Sequence, residues 1–134
     1  MFSKPSVLIV DHSEENREVL QTALQRRGMR TLSAGQTALG LELAHLHRPD
    51  LIVLDLEVED SRPEEIRTKF TQDPQITGTP IVMLGSIRLT SDDTPHGETS
   101  PREGFVEKPY HYGPLIRRIE QLLATGGQAL SRTA

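Results

Sequence analysis

No cysteine occurs in the chain, which excludes disulfides and thiolate metal centres and leaves nothing that requires an oxidising compartment. Positive charge is also short: 15 Lys and Arg stand against 19 Asp and Glu, a net charge of -4. Without a positive field there is no electrostatic footprint for nucleic acid or for an anionic membrane surface. The N-terminal Met1-Phe2-Ser3-Lys4-Pro5 lacks the apolar core of a signal peptide. No apolar stretch approaches the roughly 18 residues that a membrane helix needs. A cytoplasmic protein that binds neither nucleic acid nor membrane is the expectation. His45, His47, His96 and His111 show no ligand spacing. A glycine-rich phosphate loop after the first apolar run is missing, as is a Ser-His-Asp set at strand ends, so a flavin-binding or hydrolytic enzyme on an α/β architecture lacks support.

What is present is organised around Leu51-Ile-Val-Leu-Asp55, four apolar residues that stop on a carboxylate. Unbroken apolar runs of this length read as strands covered on both faces, the condition of a central strand in a parallel sheet. Val7-Leu-Ile-Val10 ending on Asp11 has the same form, and so does Ile81-Val-Met-Leu84 ending on Gly85-Ser86. Between these runs the spacing predicts helices. Ser13 is placed to cap the first, with Glu14 and Glu15 in its opening turn, Val19, Leu20, Ala23 and Leu24 as its stripe, and Gly28 at its end. Arg30 to Ala34 reads as a strand near a sheet edge. Ala38, Leu39, Leu41, Leu43 and Leu46 form a second helix ended before Pro49. Pro63 opens a third, short and weakly anchored, with Ile66 and Phe70 as its apolar positions. Ile87 to Arg102 is broken by proline and glycine, so a fourth helix there is expected to be eroded. Gly104 to Glu107 is a last short strand. Pro114 starts a helix with Leu115, Ile116, Ile119, Leu122 and Leu123 on one face, and Thr125 onward is a polar tail.

At 134 residues this is one domain of ordinary size. Alternating strands and helices with short connections imply a doubly wound α/β sheet of five parallel strands. In such sheets ligands bind outside the carboxyl ends of the strands, where Asp11, Asp55, Ser86 and Lys108 all fall. A lone strand-end Asp is as readily explained by capping the helix that follows, but three charged ends on one edge point to chemistry. Two facing carboxylates repel by about 4 kcal/mol at 4 Å and an effective dielectric near 20, and a hard divalent cation relieves this. Asp11 and Asp55 suit magnesium, with Lys108 as a fixed positive charge opposite. A carboxylate such as Asp55 is also a competent covalent nucleophile toward a phosphoryl group.

With Val7-Leu-Ile-Val-Asp11, Pro49-Asp-Leu-Ile-Val-Leu-Asp55, Pro80-Ile-Val-Met-Leu84 and Gly104-Phe-Val-Glu-Lys-Pro109, the sequence resembles the receiver domain of two-component response regulators over about residues 5 to 124. The resemblance implies a flavodoxin-like (βα)5 fold with strand order 2-1-3-4-5. It makes Asp55 the phosphoacceptor, and Asp11, Asp55 and the Glu57 backbone the magnesium ligands. Lys108 becomes the phosphoryl-contacting lysine, Phe105 the switch aromatic, and Pro109 the residue after a cis bond. It implies no enzyme beyond self-phosphorylation and dephosphorylation at Asp55.

The departures carry as much information. His12 stands where the family has a second magnesium-binding acid, so magnesium binding should be weakened; His12 could instead favour a nitrogen-tolerant metal together with Asp11 and Asp55. Gly85 stands where the family has the Thr or Ser that holds the phosphoryl group. Ser86 is one residue along, and strand alternation turns its side chain away unless the backbone bulges. The family's Pro-Gly pair after the phosphoacceptor is replaced by Glu59-Asp60: either the loop is simply solvated, or Glu57 or Glu59 restores the charge lost at His12. Two readings follow. One is an atypical receiver, residues 1–124 with 125–134 as a tail or linker, that signals through protein contacts with impaired phosphorylation. The other is a working phosphoacceptor with a weakened metal site. The expected partner is a sensor histidine kinase or another signalling protein, and the expected state is a monomer or weak homodimer.

Overall fold

The structure, a computed structural model, describes residues 4–86 and 103–133. The expected eroded helix of residues 87–102 lies outside the described residues. Five strands, β1 (Ser6–Val10), β2 (Arg30–Ala34), β3 (Leu51–Asp55), β4 (Ile81–Gly85) and β5 (Glu103–Glu107), form one sheet in the order 2-1-3-4-5. All neighbours are parallel. Among the described residues four helices accompany them: α1 (Glu14–Arg26), α2 (Thr37–His47), α3 (Pro63–Thr71) and α4 (Tyr112–Thr133).

Strand alternation divides the sheet's apolar side chains between two layers. Val7, Ile9, Leu51, Val53, Val82 and Leu84 meet Leu20 and Leu24 of α1 and Leu115, Ile116, Ile119 and Leu122 of α4. Leu8, Val10, Ile52, Leu54, Ile81 and Met83 face the other way, onto Ala44, Ile66 and Phe70. The apolar runs of β1, β3 and β4 are thus continuous in sequence because both faces are covered.

Local signals explain the helix ends. Ser13 Oγ accepts from Asn16 N at 3.1 Å, capping α1 behind Glu14 and Glu15. Gly28, at φ +89, takes the left-handed turn that leads out of α1. The α2 helix ends at Arg48 in the left-handed region, one residue before Pro49.

Three expectations need correction. Val19 is 40% exposed, so the buried stripe of α1 is narrower than the sequence suggested. The α2 helix docks through small residues: Thr37, Gly40 and Ala44 are buried while Leu39 and Leu46 are exposed. Small side chains let this helix approach β1 closely, and the leucines are left at the rim. The α3 helix is short, but Ile66 and Phe70 are both fully buried and anchor it. The α4 helix begins at Tyr112, ahead of Pro114, and its helical backbone runs to Thr133.

The close approach of α2 generates a test. A Cβ on Gly40 would stand 2.8 Å from Val10 Cγ2 and 3.2 Å from its Cγ1. Val10 is fully buried and its branched side chain is stiff, so it cannot yield cheaply. Gly40→Ala should therefore destabilise the fold by about 1–2 kcal/mol in urea unfolding, overpacking outweighing the gain in helix propensity.

Candidate functional site

The strand ladders continue one residue past the strands at their carboxyl ends, and this aligns the polar edge. Asp11 N donates to Ala34 O (3.0 Å), Leu56 N to Leu84 O (2.8 Å) and Lys108 N to Gly85 O (2.8 Å). Asp55, 3% exposed, ends β3. Its Oδ1 accepts from Glu57 N at 2.9 Å and from Lys108 Nζ at 2.9 Å. Lys108 Nζ also donates to Glu57 Oε1 at 3.0 Å, and the Ser86 hydroxyl donates to the same oxygen at 3.1 Å.

Asp11 is 2% exposed. Its Oδ1 accepts from Ser13 N at 2.8 Å, whereas its Oδ2 is buried with no hydrogen-bond partner. The loop that carries it is gripped by Arg17, whose Nη1 donates to Asp11 O at 2.6 Å and to His12 O at 3.2 Å. Gly35 leaves room for that guanidinium, since a Cβ there would come within 2.9 Å of Arg17 Nη1.

Charge at this edge is strongly coupled. Burial pushes the Asp11 pKa up, the Ser13 amide pulls against it, and Asp55 repels its charged form. Burial also works against the Lys108 ammonium, but hydrogen bonds to Asp55 and Glu57 outweigh it and raise the pKa. The bond from Lys108 holds the Glu57 carboxyl below its ordinary value.

The sequence-derived candidates separate clearly. Asp55, Lys108, Glu57 and Ser86 come together. Ser86 reaches the site because β4 ends at Gly85 and the chain bends immediately after it, so strand alternation no longer governs that side chain. Of the two carboxylates proposed to replace the charge lost at His12, only Glu57 lies at the site. Glu59 Oε1 instead accepts from Thr37 N at 3.0 Å, capping α2 across space where its own Gln36 makes no side-chain cap. His12 is exposed. Among the described residues no group of three or more His, Cys, Asp or Glu is placed to hold a metal, so His12, Asp11 and Asp55 do not assemble as a nitrogen-containing set. Phe105 is half-buried against the α2 and α3 layer, beside Met83. The Lys108–Pro109 peptide is cis.

Sequence reasoning missed the wall beside Lys108. A cavity of about 410 Å³ is lined by Asn16, Ser86, Lys108, Pro109, Tyr110 and Tyr112. The Tyr112 hydroxyl donates to Asn16 Oδ1 at 2.7 Å, and the two tyrosine rings meet edge to face at 5.6 Å. Tyr110 Oη is buried without a partner, and burial raises its pKa. The one available signal was the Tyr110-His111-Tyr112 stretch after the Lys108-Pro109 pair.

The state of Asp11 can be tested. Its folded pKa is raised above the unfolded value, so its ionised form opposes folding at neutral pH, and this penalty vanishes as pH falls below about 4. Asp11→Asn retains an oxygen for Ser13 N and removes the charge. In chelator at pH 7 the variant should melt a few degrees above the parent, and the gap should close as the melts are repeated toward pH 4.

A family model for the response regulator receiver domain matches residues 7–120. The transcriptional regulatory protein AfsQ1 of Streptomyces coelicolor is 31% identical over 122 residues, covering 91% of this chain and 52% of that protein. The KDP operon transcriptional regulatory protein KdpE of Escherichia coli is 33% identical over 119 residues, covering 88% of this chain and 51% of that protein. The polar-differentiation response regulator DivK of Brucella anthropi is 24% identical, covering 88% of this chain and 95% of its own length. The chain thus spans about half the length of the transcriptional regulators it matches. Among solved structures, the signal receiver domain of a putative LuxO repressor protein from Vibrio parahaemolyticus superposes with a TM-score of 0.79 at 16% identity, covering 98% of both chains. The N-terminal domain of a response regulator receiver protein from Methanoculleus marisnigri gives 0.66 at 30% identity, covering 89% of this chain and 96% of that one. Together with the observed sheet order, these matches show that the chain belongs to the receiver domain family of two-component response regulators.

Proposed function

We propose that this receiver is an atypical one, in which phosphoryl transfer to Asp55 is impaired and signalling proceeds through protein contacts that do not depend on it. The observation that carries this reading is the end of β4. Gly85, whose carbonyl accepts from Lys108 N, brings no hydroxyl to the pocket, and the nearby Ser86 hydroxyl is engaged by Glu57. A phosphoryl group arriving at Asp55 would therefore find the lysine but no uncommitted hydroxyl at the β4 end.

The second reading, a working phosphoacceptor, is favoured by one specific feature. The orphaned Asp11 Oδ2 is a buried acceptor without a donor, which is the state of a carboxylate oxygen suited to a hard cation. Receiver domains bind magnesium for phosphorylation, and the residues here fit a reduced site. Asp11 and Asp55, with the Glu57 carbonyl, would hold the ion, and waters would fill the places that His12 does not. When bound, it would neutralise charge between the two carboxylates and on the incoming group. In that chemistry a carboxylate oxygen of Asp55 bonds to phosphorus while the donor's bridging oxygen leaves with its electron pair, as acetate when acetyl phosphate is the donor. Lys108, bonded to Asp55 Oδ1, lies ready to contact the transferred group.

The partner is a sensor histidine kinase or another signalling protein, met in the cytoplasm by a monomer or weak homodimer. No helix among the described residues is long and apolar enough to cross a membrane. We assign the receiver to residues 1–124, with 125–134 leading away from it. Nucleic acid contact is not assigned to this domain at its net charge of -4. In a longer protein of the kind AfsQ1 and KdpE represent by name, that role would fall to another domain.

Intact mass measured after incubation with acetyl phosphate and magnesium tests the choice. Little or no adduct of about 80 Da is expected under conditions that load an ordinary receiver. Rapid, magnesium-dependent loading that disappears in Asp55→Asn would overturn the atypical reading in favour of the second.

A further inference from the structure

Glu57 belongs to neither the strand that ends on Asp55 nor the helix that follows. Its side chain nevertheless reaches across the sheet edge to the ends of β4 and β5. One oxygen, Oε1, accepts both the Ser86 hydroxyl at 3.1 Å and the Lys108 ammonium at 3.0 Å. A hydroxyl and an ammonium converging on one anionic oxygen is the donor set by which a protein holds a phosphoryl oxygen. We infer that Glu57 is a built-in occupant of these two groups, a carboxylate in place of a phosphoryl group that draws the loop after β3 onto the ends of β4 and β5 while Asp55 is unmodified. The inference rests on the reading of Asp55 and Lys108 as the pocket of this receiver.

The local backbone explains why Glu57 can reach. Its amide is fixed on Asp55 Oδ1 at 2.9 Å, and its neighbours Leu56 and Val58 are each 1% exposed, so the backbone on either side is pinned inward. The Glu57 side chain is left on the open side, 42% exposed, and can swing clear. An exposed ion pair with one contact stabilises little, but here two donors from two strand ends meet on one oxygen. The electrostatic consequence follows directly. Among the described residues, Asp11, Asp55 and Glu57 face the Lys108 ammonium, and the Arg17 guanidinium is turned onto the carbonyls of Asp11 and His12. An incoming anionic phosphodonor thus meets an excess of negative charge and two donors already taken.

The test compares the full chain with Glu57→Gln, Glu57→Ala and Ser86→Ala by two independent measurements. The first is NMR of the Lys108 ammonium and of the Gly85, Ser86 and Glu107 amides without phosphodonor. All these signals should move in both Glu57 variants, and Ser86→Ala should move the Lys108 signal less than either. The second is the initial rate of adduct formation with acetyl phosphate and magnesium, with Asp55→Asn as the blank. Removing the competing charge should raise that rate about tenfold in Glu57→Gln, and added salt should shrink the gain. Unchanged Lys108 and Gly85 signals in both Glu57 variants would overturn the inference, whatever the rates. If the signals move but the rate does not rise, Glu57 is an occupant without being a competitor, and the part of the inference concerning the phosphodonor is overturned. Rapid loading of the unaltered chain would remove the atypical reading while leaving the NMR comparison to decide on Glu57.

Discussion

One ammonium holds the carboxyl edge of this sheet together. The fold delivers Asp55 to a nearly dry position at the end of its central strand, with a second buried carboxylate, Asp11, on the neighbouring strand. Such a pair calls for a proton on one carboxyl or a positive charge fixed beside it. Lys108 supplies that charge from β5 across the width of β4, and its own backbone amide is locked to Gly85. The lysine is divided between Asp55 and Glu57. Two acceptors on one cation make its position stiff, and they also leave it less available to any third anion.

The remainder of the architecture serves to place these ends level with one another. Parallel strands of equal length, five residues each, bring every carboxyl terminus to the same side. The apolar layers on the two faces set the register, because a slip by one residue would exchange the side chains that face α1 and α4 with those that face α2 and α3. Helix placement then fixes the loops. Arg17 reaches back from α1 to hold the loop after Asp11, and Tyr112 of α4 is tied to Asn16 of α1, so the pocket wall is continuous between the first and last helices.

Much of this was legible in the sequence. The apolar runs, the caps at Ser13 and Gly28, and the motifs around Asp11, Asp55 and Lys108 led to the sheet, its order and its polar edge. What was hidden falls into two physical kinds. One is packing by absence: the buried face of α2 is made by Gly40 and Ala44, which carry little hydrophobic signal, while the conspicuous Leu39 and Leu46 face outward. The other is the reach of long side chains. Whether Glu57 or Glu59 turns toward the pocket depends on two residues of loop geometry, which periodicity does not encode. The direction of Ser86 was left open for a related reason, since alternation applies only while the strand continues, and β4 stops at Gly85.

The short stretch Glu57-Val58-Glu59 gives the loop after β3 a property of its own. Val58 is buried, Glu57 clasps the far strands through Lys108 and Ser86, and Glu59 caps the first turn of α2 on the opposite side of β3. Three consecutive residues thus tie the central strand to both flanks of the domain, as a yoke joins two shafts. Because the two carboxylates share one short piece of backbone, a displacement of that backbone at either end bears on the other. The N-terminus of α2 is thereby joined to the Lys108 pocket through three consecutive residues.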